Sequence, residues 1–406
     1  MLKIRLYIPY LMQMSRTFDY IILGGGASGL SLAMRLVQQP ALQTKSIAIV
    51  ERDAKESNDR TWCFWATSAG IWENVATSRW QHMQFLSPDH TMTLDLDPYQ
   101  YHMIRSKDLY AYARKVLNSN PNITWIQAEV QRVADRTVHT SAGVLEAQDY
   151  IFSSIYQPPT FKPNDHNLLQ HFKGWFIKVP EEIHQRLQPV LMDFTIPQQT
   201  GCDFIYTLPI PGSQVLVEYT SFSEALLEDK VYDDVLKAYL SAHPVMERYE
   251  IVEQEFGIIP MTTVYHRRRQ GKYLINIGAA GGSTKPSTGY TFQNIQEQTR
   301  QIAENLASGK DPLSNMSAGL GRFYLYDAVL LRILKEKNLP AWQLFDRLFD
   351  QLPAEQVLRF LDEKTGFWEE FRIRNVMPQL PFIKAAFQEM GPLLGKWLSP
   401  TSRAPG

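Results

Sequence analysis

Cysteine is scarce in this chain of 406 residues, and long apolar runs are missing. Cys63 and Cys202 are the two thiols, and their spacing is unlike that of metal ligands. This excludes a disulfide framework and favours a reducing compartment. No run reaches the about 18 apolar residues of a membrane-spanning helix. We therefore expect a cytoplasmic protein whose association with membranes is peripheral.

An excess of charge of either sign is missing too. Lys and Arg number 41, and Asp and Glu number 42, so the net charge is −1. Nothing in this balance favours nucleic acid as a partner, and we expect none. What remains is the composition of an ordinary folded protein, 44% hydrophobic and 20% charged. Its length predicts two or three subdomains.

The strongest motif is a glycine-rich turn near the start of the chain. Residues 20–23 are a short apolar run typical of a buried parallel strand. Gly24, Gly26 and Gly29 follow at G-x-G-x-x-G spacing, before a helical pattern. Gly24 permits the turn, Gly26 lets the backbone approach a pyrophosphate, and Gly29 lets the helix pack on the strand. Ala27 lies where N–H groups of the helix N-terminus would face the phosphates.

The context of this turn strengthens the prediction. A second strand, over residues 46–50, ends at Glu51, 22 residues after Gly29. A carboxylate at that place can accept hydrogen bonds from the two hydroxyls of a ribose. The alternative is a plain β-α-β unit with an acidic strand end. Arg105, just ahead of a predicted helix, is a candidate for the cofactor's phosphates or adenine side, and its alternative is a surface ion pair.

A second glycine-rich loop follows a predicted buried strand at residues 273–277. It begins at Gly278, and a helix is predicted to start near Gly289 and Tyr290. In flavoproteins of this two-strand design, the positive end of such a helix meets the isoalloxazine and favours its anionic reduced form. Together the two loops predict FAD as the dinucleotide, with Gly278, Gly289 and Tyr290 among its contacts.

Between the two loops lie β-prone, aromatic segments that indicate a substrate sheet. In the segment 215–222, Leu216, Glu218, Thr220 and Phe222 share one strand face. A carboxylate among apolar neighbours is partly desolvated, which raises its pKa as a general acid near neutral pH requires. The alternative is a solvated Glu at a strand edge.

These patterns predict an α/β fold: a Rossmann-like FAD-binding domain of the glutathione-reductase type, an inserted mixed β-sheet substrate domain and a helical C-terminal region. Residues 377–397 are amphipathic, and would lie either on a bilayer surface or on the protein's own body. The predicted boundaries are 1–17 for a leader, 18–65, 100–156 and 250–310 for the FAD-binding domain, 66–99 and 157–249 for the substrate domain, and 311–406 for the C-terminal region.

Several segments spread over nearly the whole chain form a specific combination: 24–29, 58–65, 170–175, 191–194, 217–220, 257–260, 278–290, 359–361 and 377–384. In this combination the chain resembles the lycopene cyclases of the bacterial β-cyclase type, which are flavoproteins related to the plant lycopene cyclases. The resemblance implies closure of each ψ-end of lycopene to a β-ionone ring, giving γ-carotene and then β-carotene. It also implies that reduced FAD is required, with NAD(P)H as reductant, and that no net redox change occurs.

Two positions depart from the patterns that the resemblance brings. The family usually has an acidic pair before Thr, whereas here Glu218 is followed by Tyr219. Glu218 is therefore the single acid carried over, and either it or the reduced flavin would supply the proton. Gly278-Ala279-Ala280 replaces the Gly-Asp-Ala of many related hydroxylases. A contact with the ribityl chain would then rest on backbone groups.

Two other functions fit the same motifs. An FAD-dependent hydroxylase or reductase of an apolar isoprenoid would consume NAD(P)H at each turnover, and the hydroxylase would also consume oxygen. A carotenoid-binding flavoprotein without catalysis would return lycopene unchanged. The chain has no second glycine fingerprint for a nicotinamide domain, which disfavours monooxygenases that bind two dinucleotides.

Overall fold

The computed structural model describes residues 15–76, 78–243, 246, 248–317 and 321–398, with side chains described as far as 391. Almost all of the predicted leader, residues 1–14, lies outside the described residues. The helices are α1 Ala27–Gln38, α2 Ser106–Leu117, α3 Glu181–His184, α4 Asp229–Ala242, α5 Phe292–Ala307, α6 Arg322–Glu336, α7 Ala341–Gln351, α8 Ala354–Leu361, α9 Phe367–Val376 and α10 Gln379–Leu398.

The strands fall into three sheets. They are β1 Arg16–Leu23, β2 Ile47–Glu51, β3 Thr61–Ala66, β4 Ser78–Trp80, β5 His82–Leu86, β6 Thr91–Asp95, β7 Gln100–Arg105, β8 Ile123–Gln127, β9 Val130–Ala134, β10 Thr137–Thr140, β11 Gly143–Ser153, β12 Asn167–Lys178, β13 Val190–Asp193, β14 Asp203–Ile210, β15 Gln214–Ser223, β16 Glu250–Thr262, β17 Arg269–Gln270 and β18 Leu274–Asn276.

The first sheet has a parallel centre, with the order β17-β18-β11-β1-β2-β8. β1 lies between β2 and β11 and is parallel to both. Tyr20 and Ile22 pack against α1, α2 and α5 on one face, while Ile21 and Leu23 pack under the β9–β11 meander on the other. A strand buried on both faces has no alternation, which explains the continuous apolar run.

The second sheet is mixed, with the order β16-β12-β15-β14-β13-β5-β6. β13 and β5 are parallel, and the other neighbours are antiparallel. α4 covers one face with an apolar cluster that includes Tyr219 and Tyr232. The opposite face packs against the C-terminal helices and the small third sheet, β3-β7-β4.

One segment lies in a different place from the prediction. Residues 250–262 form β16, which pairs with β12 along its whole length, whereas the predicted boundary assigned them to the FAD-binding domain. β16 is an edge strand with several half-exposed apolar side chains and Pro260, and such a strand has weak alternation. The sequence indicates only residues 256–260 as a short strand, so the first half of β16 and the position of Glu255 in it were not predicted.

The C-terminal region is helical, as predicted, and α10 has two different faces. Ala385 and Glu389 are buried on the face toward the protein, where Glu389 accepts a hydrogen bond from Arg332 and pairs with His166. Leu380, Phe387 and further apolar side chains of α10 are exposed on the other face. Among the residues described, none of the helices is both long enough and apolar enough to span a bilayer.

Candidate active site

A single large cavity connects the first glycine loop to the C-terminal helices. Its volume is about 910 Å³, toward the upper end of the about 300–1,000 Å³ usual for ligand sites. One end is lined by residues 26–28, the middle by the inner face of the second sheet, and the far end by side chains of α6 to α10. A ligand in this space can touch the glycine loop and the substrate sheet at the same time.

The first glycine loop has the geometry that its spacing predicts. Gly24 has φ of 100°, which disfavours other residues, and its N–H donates to the carbonyl oxygen of Val50 at 2.8 Å. A Cβ on Gly29 would lie 2.0 Å from the carbonyl oxygen of Gly24, so this glycine is needed for close packing of α1. A Cβ on Gly26 would meet nothing within 4 Å, and Gly26 lines the cavity.

The open space at Gly26 fits a dinucleotide. α1 begins at Ala27 with no side-chain cap, which leaves its first N–H groups directed at the cavity. Ser28 also lines the cavity, and its buried hydroxyl has no hydrogen-bond partner among the described residues. Glu51 ends β2 beside the loop, and its Oε2 accepts from the N–H of Gly25 at 2.7 Å. A contact of these groups with the pyrophosphate and ribose of FAD stays a prediction.

The second glycine loop follows β18 and lies next to α1. Gly278 has φ of 63°, and a Cβ there would come within 2.8 Å of Ser28, so Gly278 lets the two loops approach each other. Its N–H donates to Gln298 at 2.8 Å. Gly289 and Tyr290 both line the cavity, and α5 begins just after them, at Phe292. A cofactor contact by each of these residues stays a prediction.

Arg105 lies away from the cavity lining. Its guanidinium pairs with Glu253 and packs over the ring of Phe176, with 4.7 Å to the ring centroid. The ion pair is the arrangement that the sequence left as the alternative, and its role toward a cofactor stays a prediction. Lys55 and Arg60, which the sequence analysis did not single out, do line the cavity near the glycine loop.

Glu218 lies in the middle of the substrate sheet and faces the cavity. Its side chain is 2% exposed, and Oε2 has no hydrogen-bond partner among the described residues. Thr220 donates a hydrogen bond to Oε1 at 3.1 Å. Burial, and next the charge of Glu255, hold the pKa of Glu218 well above its usual value. This environment favours the protonated form of the carboxyl group, unlike that of a solvated strand-edge Glu.

Glu255 is the second acidic residue of the site, and no motif of the sequence predicts it. Glu218 and Glu255 both lie opposite Gly174, one on each neighbouring strand. A Cβ on Gly174 would be 3.2 Å from Oε2 of Glu218 and 3.2 Å from Cγ of Glu255. Thr61 donates to Oε2 of Glu255 at 2.7 Å, and burial is the main cause that raises the pKa of Glu255 to about 7.

The position after Glu218 belongs to the other face of the sheet. Tyr219 is fully buried against Tyr232 of α4, and its hydroxyl donates to Asp203 at 2.8 Å. Successive residues of a strand point to opposite faces, so a carboxylate at 219 could not reach the cavity. The absence of an acidic residue at position 219 therefore removes no carboxyl group from the face of the sheet that lines the cavity.

Aromatic and apolar side chains surround the two carboxyl groups. Tyr290 packs edge-on against Trp65, with ring centroids 4.2 Å apart. Burial raises the pKa values of the Tyr206 and Tyr101 hydroxyls and of the Cys63 thiol, so these groups are neutral. The other rings here include those of Phe204 and Phe222.

The fold and this cavity define a protein of the FAD-dependent oxidoreductase and monooxygenase fold. A geranylgeranyl bacteriochlorophyll reductase-like protein from Thermoplasma acidophilum has a TM-score of 0.64 and 12% identity, covering 93% of this chain and 100% of that one. A flavoprotein/dehydrogenase from Cytophaga hutchinsonii has a TM-score of 0.61 and 11% identity, with the same coverage. These likenesses confirm the predicted fold class.

The chain belongs to the lycopene cyclase protein family, whose sequence model matches residues 19–387. It is 23% identical to the lycopene beta-cyclase of Pseudescherichia vulneris, over 90% of this chain and 96% of that protein. Similar matches are the lycopene beta-cyclases of Pantoea ananas, at 22% identity over 91% and 97%, and of Paracoccus sp., at 24% over 90% and 95%. The resemblance drawn from the motifs is confirmed, and with it the prediction of an enzyme of the intramolecular lyase type.

Proposed function

We propose that this chain converts the ψ-ends of lycopene to β-ionone rings, giving γ-carotene and then β-carotene, by an acid-initiated cyclisation without net redox change. The observation that carries the proposal is the buried Glu218 carboxyl group, which faces an apolar cavity that begins at the dinucleotide loop. A hydrocarbon has no functional group but its double bonds, so a proton donor inside an apolar cavity is the chemistry that it requires.

In this proposal Glu218 gives its proton to C2 of the terminal double bond, which leaves a tertiary cation at C1. The electrons of the C5–C6 double bond then form the C1–C6 bond, and loss of the proton on C6 completes the β-ring. The raised pKa of Glu218 favours the protonated carboxyl group, which is the form that a general acid needs when the substrate binds. Thr220 holds its other oxygen, which fixes the direction of the acid.

The cation needs an environment that stabilises it without reacting with it. The faces of Trp65, Tyr206, Phe204 and Phe222, which line the cavity, would attract positive charge and exclude water. FAD in its reduced form, with NAD(P)H as the reductant, would supply negative charge near the cation. Gly26, Ala27, Ser28 and Glu51 are the residues that we propose to hold it.

The experiment that tests the proposal compares two substrates. The purified protein with FAD and reductant is given lycopene or a polyene of the same length whose C1–C2 bond is saturated. We expect rings from lycopene alone, since the analogue offers no terminal double bond to protonate. If lycopene is recovered unchanged by the FAD-loaded protein, the proposal is refuted in favour of a carotenoid-binding protein.

Replacing Gly26 tests the proposed cofactor site. A Val side chain at Gly26 has room in the protein itself, and it would occupy the space proposed for the pyrophosphate. Gly26→Val should therefore fold with a melting temperature close to that of the wild-type protein stripped of FAD. It should also lose the flavin absorbance after gel filtration. Full FAD occupancy in this variant would contradict the assignment. Gly29→Val is the contrasting variant, because it collides with the backbone at Gly24 and should fail to fold.

We also propose that the protein is cytoplasmic and binds membranes peripherally, through an apolar surface on α9 and α10. Phe367, Trp368, Leu380 and Phe387 are between 66% and 82% exposed there. Phe371 and Ile383 are part of the same surface and also line the cavity. An apolar surface that continues into the substrate cavity favours a lipid bilayer as its partner, because lycopene is dissolved there.

Charged substitutions on this surface should release the protein from lipid. Trp368→Glu with Phe387→Glu should lower co-sedimentation with phosphatidylcholine–phosphatidylglycerol vesicles by at least about tenfold, since two large side chains no longer enter the interface. Val252→Glu, at an exposed apolar residue of β16 outside the cavity, is the matched control and should bind as the wild type does. Equal binding by all three proteins would contradict the proposed surface.

A further inference from the structure

The carboxyl groups of Glu218 and Glu255 lie on either side of Gly174 on the same face of the sheet. β12 runs between β15 and β16, and its residue 174 is the position opposite both Glu218 and Glu255. Residues directly opposite each other lie on the same face of a sheet. Because Gly174 has no side chain, the two carboxyl groups extend toward each other across the middle strand, where a Cβ would touch both side chains.

In each of the two carboxyl groups, one oxygen accepts a hydrogen bond from a threonine and the other oxygen accepts none from the residues described. Thr220 donates to Oε1 of Glu218, and Thr61 donates to Oε2 of Glu255. Oε2 of Glu218 and Oε1 of Glu255 are buried and have no hydrogen-bond partner among the described residues. Tyr206, which lies opposite Glu218 on β14, is a further hydrogen-bonding group beside it. After burial, the charge of Glu255 is the largest cause that raises the pKa of Glu218, as expected for two neighbouring carboxyl groups. A hydrogen bond between two carboxyl groups needs one proton, so the pair is stable when it holds one.

We propose that Glu218 and Glu255 share a single proton and act as an acid–base pair, with Glu255 as the base that receives the proton lost from C6. This inference rests on the proposed function and adds a second catalytic residue to it. C2 and C6 of the forming ring are both bonded to C1, so they are adjacent enough for a pair of neighbouring carboxyl groups to serve both.

The proton balance of the cycle closes within the pair. The O–H bond of Glu218 breaks as the C2–H bond forms, and the C5–C6 electrons form the C1–C6 bond. The C6–H bond then breaks, its electrons form the new C5–C6 double bond, and the proton goes to the carboxylate of Glu255. Transfer of that proton across the hydrogen bond to Glu218 restores the starting state. No oxidant, reductant or bulk water is consumed.

The pair predicts a bell-shaped pH profile for ring formation. Activity falls at low pH when the second carboxyl group is protonated and no base remains, and it falls at high pH when the shared proton is lost. The tyrosine and cysteine groups nearby stay neutral because burial raises their pKa values, and Arg105 and Glu253 form an ion pair with each other. The other titratable and charged groups around the pair are Tyr206 on β14, Cys63 on β3, Tyr101 and Arg105 on β7, and Glu253 on β16.

Glu255→Gln tests the inference, since it keeps the shape and the hydrogen bond from Thr61 but removes the base. We expect FAD content and melting temperature close to the wild-type values, with ring formation from lycopene lowered by about 10²-fold or more. The fall in activity at low pH should disappear, because no second carboxylate is left to protonate. Glu255→Asp should keep part of the activity and the low-pH fall. Glu253→Gln removes a carboxylate from the same strand outside the cavity lining and should be active.

The outcomes separate this inference from the proposed function. If the wild type forms rings, and Glu255→Gln keeps both the wild-type rate and the fall in activity at low pH, the acid–base pair is refuted. The proposed cyclase function would then remain intact. Equal loss of activity in Glu255→Gln and Glu255→Asp, with FAD retained and the pH profile unchanged in shape, would mean that Glu255 is structural. Absence of rings from the wild type itself would refute the proposed function.

Discussion

Glu218→Gln should fold, hold FAD and bind lycopene, and yet form rings about 10²–10⁴-fold more slowly than the wild type, the range that a well-placed general acid contributes. Gln has the shape of Glu and can accept the hydrogen bond from Thr220, but it has no acidic proton to give. Replacing a carboxyl group whose neutral form is favoured by burial should cost little stability. The measurement is the initial rate of monocyclic plus bicyclic product at equal FAD occupancy.

Glu218→Asp is the matched variant for this prediction. It keeps the acid but places it one methylene short of the substrate, so a fraction of the activity should remain. A solvated residue without a catalytic role would tolerate both changes equally. Near-wild-type β-carotene formation by Glu218→Gln would therefore remove Glu218 from the mechanism, and the reduced flavin would then be the donor to test.

Gly174→Val should produce the second large effect, although residue 174 carries no functional group. Its Cβ alone would lie 3.0 Å from Cδ1 of Leu216 and 3.2 Å from both carboxylate side chains, so the two methyl groups of Val must displace them. We expect ring formation to fall on the order of 10²-fold, because misdirected groups lose most of the contribution of acid–base catalysis. FAD content should be unchanged, since residue 174 does not line the cofactor end.

Gly174→Ala provides the graded comparison for this prediction. Its single added carbon requires the neighbours to move by only a few tenths of an ångström. Its activity should therefore lie between those of the wild type and Gly174→Val. If Val at 174 leaves the rate and the pH profile unchanged, the two carboxyl groups do not act across this glycine.

The sequence was most informative where one local pattern encodes one structural requirement. The spacing of Gly24, Gly26 and Gly29 predicted the strand–turn–helix that is found, because each position has its own reason to lack a side chain. The face of the strand that carries Glu218 followed from the two-residue period of a strand. Both inferences concern neighbours in sequence.

Glu255 could not be found in that way, because its position depends on pairing between distant segments. It comes to Glu218 only after β16 has paired with β12 and β12 with β15. A signal was present in Gly174, a glycine inside a β-prone aromatic segment, which often marks a close approach of other groups. The ion-pair partner of Arg105 could not be identified for a related reason, since Glu253 also belongs to the part of β16 that the sequence does not indicate as a strand.

The most direct test of the central claim is a count of rings formed per reductant consumed. The protein with FAD and a small, measured amount of NADPH is incubated anaerobically with an excess of lycopene. The carotenoids are then separated, and their masses are determined by mass spectrometry. We predict γ-carotene and β-carotene of the same mass as lycopene, with many rings formed for each NADPH oxidised. One NADPH consumed per product, or a product heavier by two hydrogens, would contradict the account and identify a reductase. If no product forms anaerobically and an oxygenated product forms once oxygen is admitted, the protein is a hydroxylase.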